Sequence, residues 1–501
     1  VNKDSKVLLK KYFEQHSIIE EDIESFNNFV EGGFNEIIKE YREVEPTIIP
    51  HNINSFVIKL DKITVDKPQI TEADGSVRKI LPIEARIRKL TYAAPIYLKV
   101  SAHIDGVQKE SINAQIGNLP IMLKSNNCYL KDMSREELIK NGEDPDDPGG
   151  YFIINGSEKV IVKIEDLASN VFMVTKAATG PSKYVGKIFS ENGSFKIPHT
   201  IEKFKDGIFY LTFTRVHRIP LIIVLKALGL TKDQDIMKFV SSEEQFDEMI
   251  VNLYEFADIK TQEDALDFIA KKIGITQTRE IRINNMKDIL NKYFLPHIGS
   301  DEADMRKKAY NLCKMLKKYI LVTQGRIPAD DKDHYINKRI KLSGDLLNEL
   351  FRVNMRILIN DMLYNFERSV KRGKIPSLNV IVRDKLLTQR TYSAMATGNW
   401  VGARKGVAQR IQRWNFIETN SHLQRVVSLL SSAQENLEAR ELHPTHLGRL
   451  GPIETPEGSS IGLKKNLALL AKATTKDADE KSIIKHIKSF GLKTIEDLES
   501  Q

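Results

Sequence analysis

Cysteine is nearly absent: two residues, Cys128 and Cys313, in a chain of 501. That excludes a disulfide scaffold and a four-cysteine zinc site within the chain, and it fits a reducing, cytoplasmic compartment. Neither thiol has an activating histidine beside it in sequence. Cys313 reads as the core of an amphipathic helix, and Cys128, in KSNNCYL, as a strand or turn residue. Long apolar runs are also missing. The most apolar stretch, IPLIIVLKALGL (219–230), falls short of the about 18 residues a membrane helix needs. The opening VNKDSKVLLKKYF mixes charge through its apolar positions and has no signal-peptide core, so no membrane partner is expected. It begins with Val1 rather than Met, consistent with a processed or trimmed start. No low-complexity linker and no fixed-period repeat occurs. A chain of this length, about 150 residues to a domain, is therefore expected to hold domains that pack directly or interleave.

Hydrophobic residues make up 41% of the chain, ordinary for a globular protein, and the formal net charge of +8 permits a polyanionic partner without requiring one. Residues 5–45 read as helices with polar faces. In PIYLKVSAHID, Ile96, Leu98, Val100, Ala102 and Ile104 alternate with polar neighbours, which predicts a half-buried strand. Asn155-Gly156, between two apolar runs, predicts a tight hairpin, and Asn192-Gly193 a second one. From about Leu221 the pattern turns helical. Met305, Ala309, Leu312, Leu316 and Tyr319 fall on one helix face. So do Leu342, Leu346, Leu350, Val353 and Ile357 in a longer helix. The fold class is α+β.

The stretch HPTHLGRLGPIETPEGSSIGLKKNLAL (443–469) concentrates histidine, glutamate, proline and glycine. A zinc protease would need H-E-x-x-H on a helix, whereas Pro444, Gly448, Gly451, Pro452 and Pro456 break one here. Glu454 and Glu457 cannot be placed on one face of such a loop, as a glycosidase pair would require. What remains is a conformationally specified loop with hydrogen-bonded histidines. Upstream, Gly398 to Trp414 holds Arg404, Lys405, Arg410 and Arg413 with no acid among them, beside Trp400 and Trp414. This run suits a phosphate backbone, and it equally suits a solvated helix face. Of two acidic clusters, EDPDDPGG (143–150) reads as an exposed turn. ADDKDHYINKR (329–339) reads as a helix cap rather than a two-metal site.

The 443–469 stretch resembles, over its whole length, a signature of the second-largest subunit of multisubunit DNA-directed RNA polymerases: β in bacteria, B in archaea and eukaryotes. EARIRKLTYAAPIYLKV resembles the early protrusion of that family. LPIMLKSNNCYL and DPGGYFIINGSEKVIV resemble its later strands. DDKDHYINKRIKLSGDLLNELFR resembles the return into the protrusion, and ATGNW…GVAQ…SHLQR the fork. GGYFIINGSEK is similar to the archaeal and eukaryotic form. The resemblance implies a discontinuous protrusion (1–168 and 326–400), an inserted lobe (169–325), a fork (401–475) and the start of an external region (476–501). Because the family's usual polypeptide is much longer, the chain resembles the N-terminal half, B″, of a B subunit encoded as two chains.

That resemblance implies partners: the second half B′, the large subunits A′ and A″, further polymerase subunits, template DNA and nascent RNA. It implies Mg2+ for the assembled enzyme, held by other chains, with no zinc and no catalytic residue in this one. Nucleic-acid contacts would come from Arg404, Lys405, Arg410, Arg413, Arg425, Arg440 and His443. Arg404 and Lys405 would lie in a short first fork loop, and Glu435 to Arg440 in a second one near downstream DNA. Gln409, His422, Glu454, Pro456, Glu457 and Ser460 would line the active-centre cavity. The competing reading is a stand-alone nucleic-acid-binding protein or structural adaptor with a polymerase-derived fold.

Overall fold

A computed structural model describes residues 3–50, 53–177, 179–193, 195–241, 246–475 and 479–492. Two compact units emerge: Val1–Asp166 with Ile340–Asp477, and Leu167–Arg339 with Ala478–Gln501. Of the segment expected to begin an external region, 476–478 and 493–501 lie outside the described residues.

The first unit is built on an antiparallel sheet ordered Glu43–Val44, Phe56–Val65, Ala93–Ile104, Val107–Pro120. The alternation expected of the third strand holds in part: Ile96, Leu98 and Val100 are fully buried and Lys99 faces solvent, but Ser101 is buried as well and Ile104 is only half-buried. Asn155 (φ 49°) and Gly156 (φ 75°) join Phe152–Ile154 to Ser157–Ile161 in a two-residue hairpin. Both positions need positive φ, which is why Asn-Gly occupies them.

The helix Ser343–Val370 runs through the core of this unit, with the Phe351 ring 4.5 Å from Phe34 and 6.2 Å from Phe29. Its buried stripe differs from the one read in sequence. Leu342, Leu346 and Leu350 are buried, but Val353 is exposed and Ile357 only half-buried; the stripe swings through Met355, Leu358, Met362 and Phe366. The reason is that two helices, Glu20–Asn28 and Asp384–Thr397, pack on it. The second of these buries Asn354, whose Oδ1 accepts from Arg390 Nε at 3.0 Å.

A charged knot holds the unit together. Lys163 is fully buried; its Nζ donates to Asp22 and to the carbonyl of Leu423 (3.0 Å), with Glu21 at 3.9 Å. Ser343 Oγ donates to the Asp22 carbonyl (3.2 Å), and Glu21 accepts from the Ala473 amide (2.5 Å). Burial raises the Glu21 carboxyl above its ordinary range. Each charge taken from water thus meets an opposite charge or a hydrogen bond.

The second unit is a five-stranded antiparallel meander, Met173–Lys176, Tyr184–Asn192, Phe195–Lys203, Phe209–Phe213 and Val216–Pro220, paired in chain order and followed by helices. The second hairpin forms later than Asn-Gly suggests: Asn192 is still paired, opposite Phe195. The apolar run at 219–230 contains the helix Leu221–Ala227, every residue of which is buried. In Met305–Thr323 the expected face is buried, as is Cys313, whose thiol burial pushes up to about 12. Cys128 is buried in a turn beside the Tyr92 hydroxyl.

Both acidic clusters differ from their sequence readings. EDPDDPGG is not a plain exposed turn: Glu143 is buried against Arg86 (2.8 Å), and Asp147 accepts from Tyr151 Oη (3.0 Å). Near 330 no aspartate caps a helix. His334 caps a single 3-10 turn, Tyr335–Asn337, while Asp330 pairs with Lys318 (2.8 Å) and Asp333 with Lys338 (3.1 Å). Ion pairing outcompetes capping because lysines lie within reach on both sides. Among the described residues no helix is long and apolar enough to cross a membrane.

Candidate nucleic-acid interface

The strand Arg425–Ser428 pairs in parallel with Lys163–Leu167 and antiparallel with Lys464–Asn466. Directly opposed residues share a face. Arg425 stands opposite Asn466, and Val427 opposite Lys464, so Arg425, Asn466 and Lys464 emerge on one side. Val426 and Lys465 point to the other, where Lys465 is buried against Glu165 at 3.1 Å.

On the Arg425 side lies a cavity of about 390 Å³, lined by Arg425, Lys464, Glu418, Glu454 and Pro456 among others. Glu418 belongs to the helix Phe416–Leu423, whose N-cap Asn415 accepts the Glu418 amide at 2.8 Å. Its carboxylate receives Arg425 Nη2 at 3.0 Å, and Gln412 Oε1 receives Nη1 at 3.4 Å. Glu454 accepts from Ser421 Oγ (2.5 Å) and Asn466 Nδ2 (2.9 Å), which binds the ETPEG loop to helix and strand together. Lys464 has no carboxylate partner among the described residues, so the wall carries an unneutralised cation. Such a surface attracts an anion.

His422 is behind the wall rather than in it. It is buried, its Nδ1 accepts the Gln412 amide (3.1 Å), and its Nε2 faces Gln409 Oε1 (3.2 Å). The Gln412 amide can only donate, so Nε2 carries the proton. Burial, aided by nearby Arg425, pushes the ring down to about 4, and His422 is neutral at physiological pH.

The remaining expected contacts are scattered. Arg404 donates to Glu349 (2.5 Å) and Asp166 (3.4 Å). Arg413 donates to Glu158 (2.8 Å) and Asp147 (2.7 Å) and lies over the Tyr151 ring. Among the described residues, Arg440 donates only to backbone carbonyls. His443 is half-buried and caps the 3-10 turn Pro444–His446, with Thr445 Oγ1 at 2.7 Å. Lys405 and Arg410 are exposed, with no carboxylate partner among the described residues. Glu457, exposed, precedes the 3-10 turn Gly458–Ser460, and Ser460, half-buried, ends it; neither borders this cavity. Of the two tryptophans, Trp400 is buried with Nε1 on the Leu346 carbonyl (2.8 Å), whereas Trp414 is 86% exposed.

The expected residues the cavity brings together are therefore Arg425, Glu454 and Pro456; Lys464, Glu418 and Gln412 were missed. Period-2 alternation in LKKNL could have separated outward Lys464 from inward Lys465. Among the described residues, no three His, Cys, Asp or Glu side chains are grouped to hold a metal ion.

The family model described as RNA polymerase beta subunit matches residues 17–389, and that described as RNA polymerase Rpb2, domain 3, matches residues 409–473. The chain is 44% identical to DNA-directed RNA polymerase subunit Rpo2N of Methanocaldococcus jannaschii, over 97% of this chain and 98% of that one. It is 42% identical to subunit Rpo2 of Saccharolobus shibatae, over 98% of this chain but 43% of that one. To Rpo2N of Halobacterium salinarum it is 36% identical, over 99% and 97%. The chain belongs to the RNA polymerase β-subunit family and is, with these relatives, a subunit of DNA-directed RNA polymerase.

Proposed function

We propose that this chain forms one side of the DNA cleft of a multisubunit polymerase and part of its active-centre cavity, as the N-terminal half (B″) of a split B subunit. Its partners on this reading are B′, A′, A″ and further subunits, with template DNA and nascent RNA. The protrusion would comprise 1–168 and 326–400, the lobe 169–325, the fork 401–475, and 476–501 would begin the external region. Supporting this layout, residues 167–339 form a compact unit placed within the sequence of another. The work is that of a soluble, cytoplasmic enzyme.

The observation that carries the proposal is the Arg425 cavity. Two strands and a helix fix Arg425 and Lys464 side by side, with Arg425 paired to Glu418 and Lys464 without a carboxylate partner among the described residues. Cations held this way stabilise phosphates without reading bases. The acids beside them do not fit a Mg2+ site, because Glu418 is taken by Arg425 and Glu454 by Ser421 and Asn466. On this reading the metal ions of nucleotidyl transfer are supplied by partner chains, and this chain contributes shape and positive potential.

The test is a polymerase reconstituted from this chain and its partners, bound to an RNA–DNA scaffold. Arg425→Ala and Lys464→Ala should each reduce the log–log salt slope of binding by about one and impair elongation. Normal elongation by both variants at elevated salt, or RNA synthesis by this chain alone, would overturn the reading.

A further inference from the structure

Arg440 was expected to meet phosphate, yet its guanidinium is occupied by the chain itself. Nη1 donates to the carbonyls of Ser459 (2.7 Å) and Ile461 (2.9 Å), and Nη2 to those of Ser432 (3.0 Å) and Gln434 (3.4 Å). One planar group thereby bridges two loops, one before and one after the 443–457 stretch. Behind it the backbones touch. Gly462, at φ +72°, lies so close that a Cβ there would sit 2.3 Å from the Arg440 carbonyl oxygen. Gly462 in turn donates its amide to Thr455 Oγ1 (2.9 Å), which donates to the Lys464 carbonyl (3.0 Å). Thr455 and Lys464 both line the Arg425 cavity.

We propose that Arg440 is a positioning residue: it locks the 432–440 loop to the 459–464 segment, and through Gly462 and Thr455 it sets the cavity wall that carries Lys464. The fork of a guanidinium is what allows this. Its N–H groups lie in one plane and reach two pairs of carbonyls at once, whereas an ammonium is a point donor on a flexible stem. Lysine at this position keeps the charge and loses the bridge. Glycine at 462 keeps the two backbones in contact, so replacing it separates the same segments without altering any charge.

The functional half of this inference rests on the polymerase reading; the structural half does not. In the full chain, amide exchange over 431–437 and 458–463 should rise about tenfold in Arg440→Lys, Arg440→Gln and Gly462→Ala alike. Unchanged exchange in the strand Ala93–Ile104 reports an intact fold. In the assembled enzyme both Arg440 variants should slow nucleotide addition about tenfold, while the salt slope of scaffold binding stays at the wild-type value. A slope lowered by about one in Arg440→Gln and restored in Arg440→Lys would make Arg440 a phosphate ligand and overturn the proposal. Unchanged exchange in the two loops would overturn it as well. An assembled wild-type enzyme without template-dependent synthesis would sink the polymerase reading, and the exchange measurement would still decide the bridge.

Discussion

Each of the two compact units buries lysines, and comparing Lys163 with Lys308 separates two ways of holding a cation out of water. In the first unit Lys163 meets Asp22 and Glu21 and a carbonyl at the end of a third segment, so charge joins parts of the chain 141 and 260 residues apart. In the second unit Lys308 is fully buried and donates to the carbonyls of Leu290 (3.2 Å) and Asn291 (2.8 Å), at the last turn of the helix Arg279–Tyr293. It closes a local helix end. Burial pushes its ammonium down to about 8, with the nearby Asp304 carboxylate acting in the opposite direction. Lys163 therefore ties distant segments of the first unit through ions, whereas Lys308 closes a helix end of the second through carbonyls.

The largest expected effect breaks that contrast directly. Lys163→Met strands two buried carboxylates and should cost the first unit about 3–5 kcal/mol. Lys308→Met strands two carbonyls and should cost the second about 1–3 kcal/mol. Denaturant unfolding followed by exchange within each unit measures both; equal losses would erase the distinction.

Acid sharpens the comparison from the other side. His422 in the first unit and His199 in the second are both pushed down to about 4 by burial. The unfolded chain, near 6.5, takes up protons that the folded one refuses. The stability from each ring is thus fully present above pH 6.5 and lost as pH falls towards 4, up to about 3 kcal/mol apiece. The protons sit on opposite nitrogens: His422 holds its own on Nε2, while His199 donates from Nδ1 to the Ile197 carbonyl (3.0 Å) and accepts the Leu295 amide at Nε2 (3.1 Å). His422→Gln should flatten the acid loss in the first unit only, and His199→Gln in the second only. The smallest effect belongs to Lys405→Ala and Arg410→Ala. Both side chains are exposed, so stability should move by less than about 0.5 kcal/mol. A larger thermal shift would reveal partners for them.

What could be read in advance follows from the range of the forces involved. The Asn155-Gly156 hairpin and the buried face of the 305–323 helix rest on local dihedral preference and periodicity and match the structure, and the 93–104 strand forms, although its polar side is buried at Ser101. The stripe on Ser343–Val370 was read correctly only as far as Leu350, since its second half answers to a helix some thirty residues further on. In the site, Arg425, Glu454 and Pro456 were reachable through family resemblance. Arg404 and Arg413 announce charge in sequence, but their acids lie 55 and 266 residues away, where no local pattern reaches. Lys464 is a different case: alternation in LKKNL puts Lys465 with Leu463 and Leu467 and leaves Lys464 on the other face, but only the pairing with Arg425–Ser428 sets Lys464 beside Arg425.

The Lys163 knot also orders events during synthesis. Asp22 is made early, Lys163 follows, and the Leu423 carbonyl that completes the tie comes last. At about 5–20 residues per second, a ribosome needs roughly 20–80 s to travel from the first of these to the last. Throughout that interval the tie lacks its last member, and the first unit cannot complete it until nearly all of its sequence exists. A stall anywhere before Leu423 would leave a half-made unit with its ionic tie incomplete, the kind of species that chaperones and proteases select.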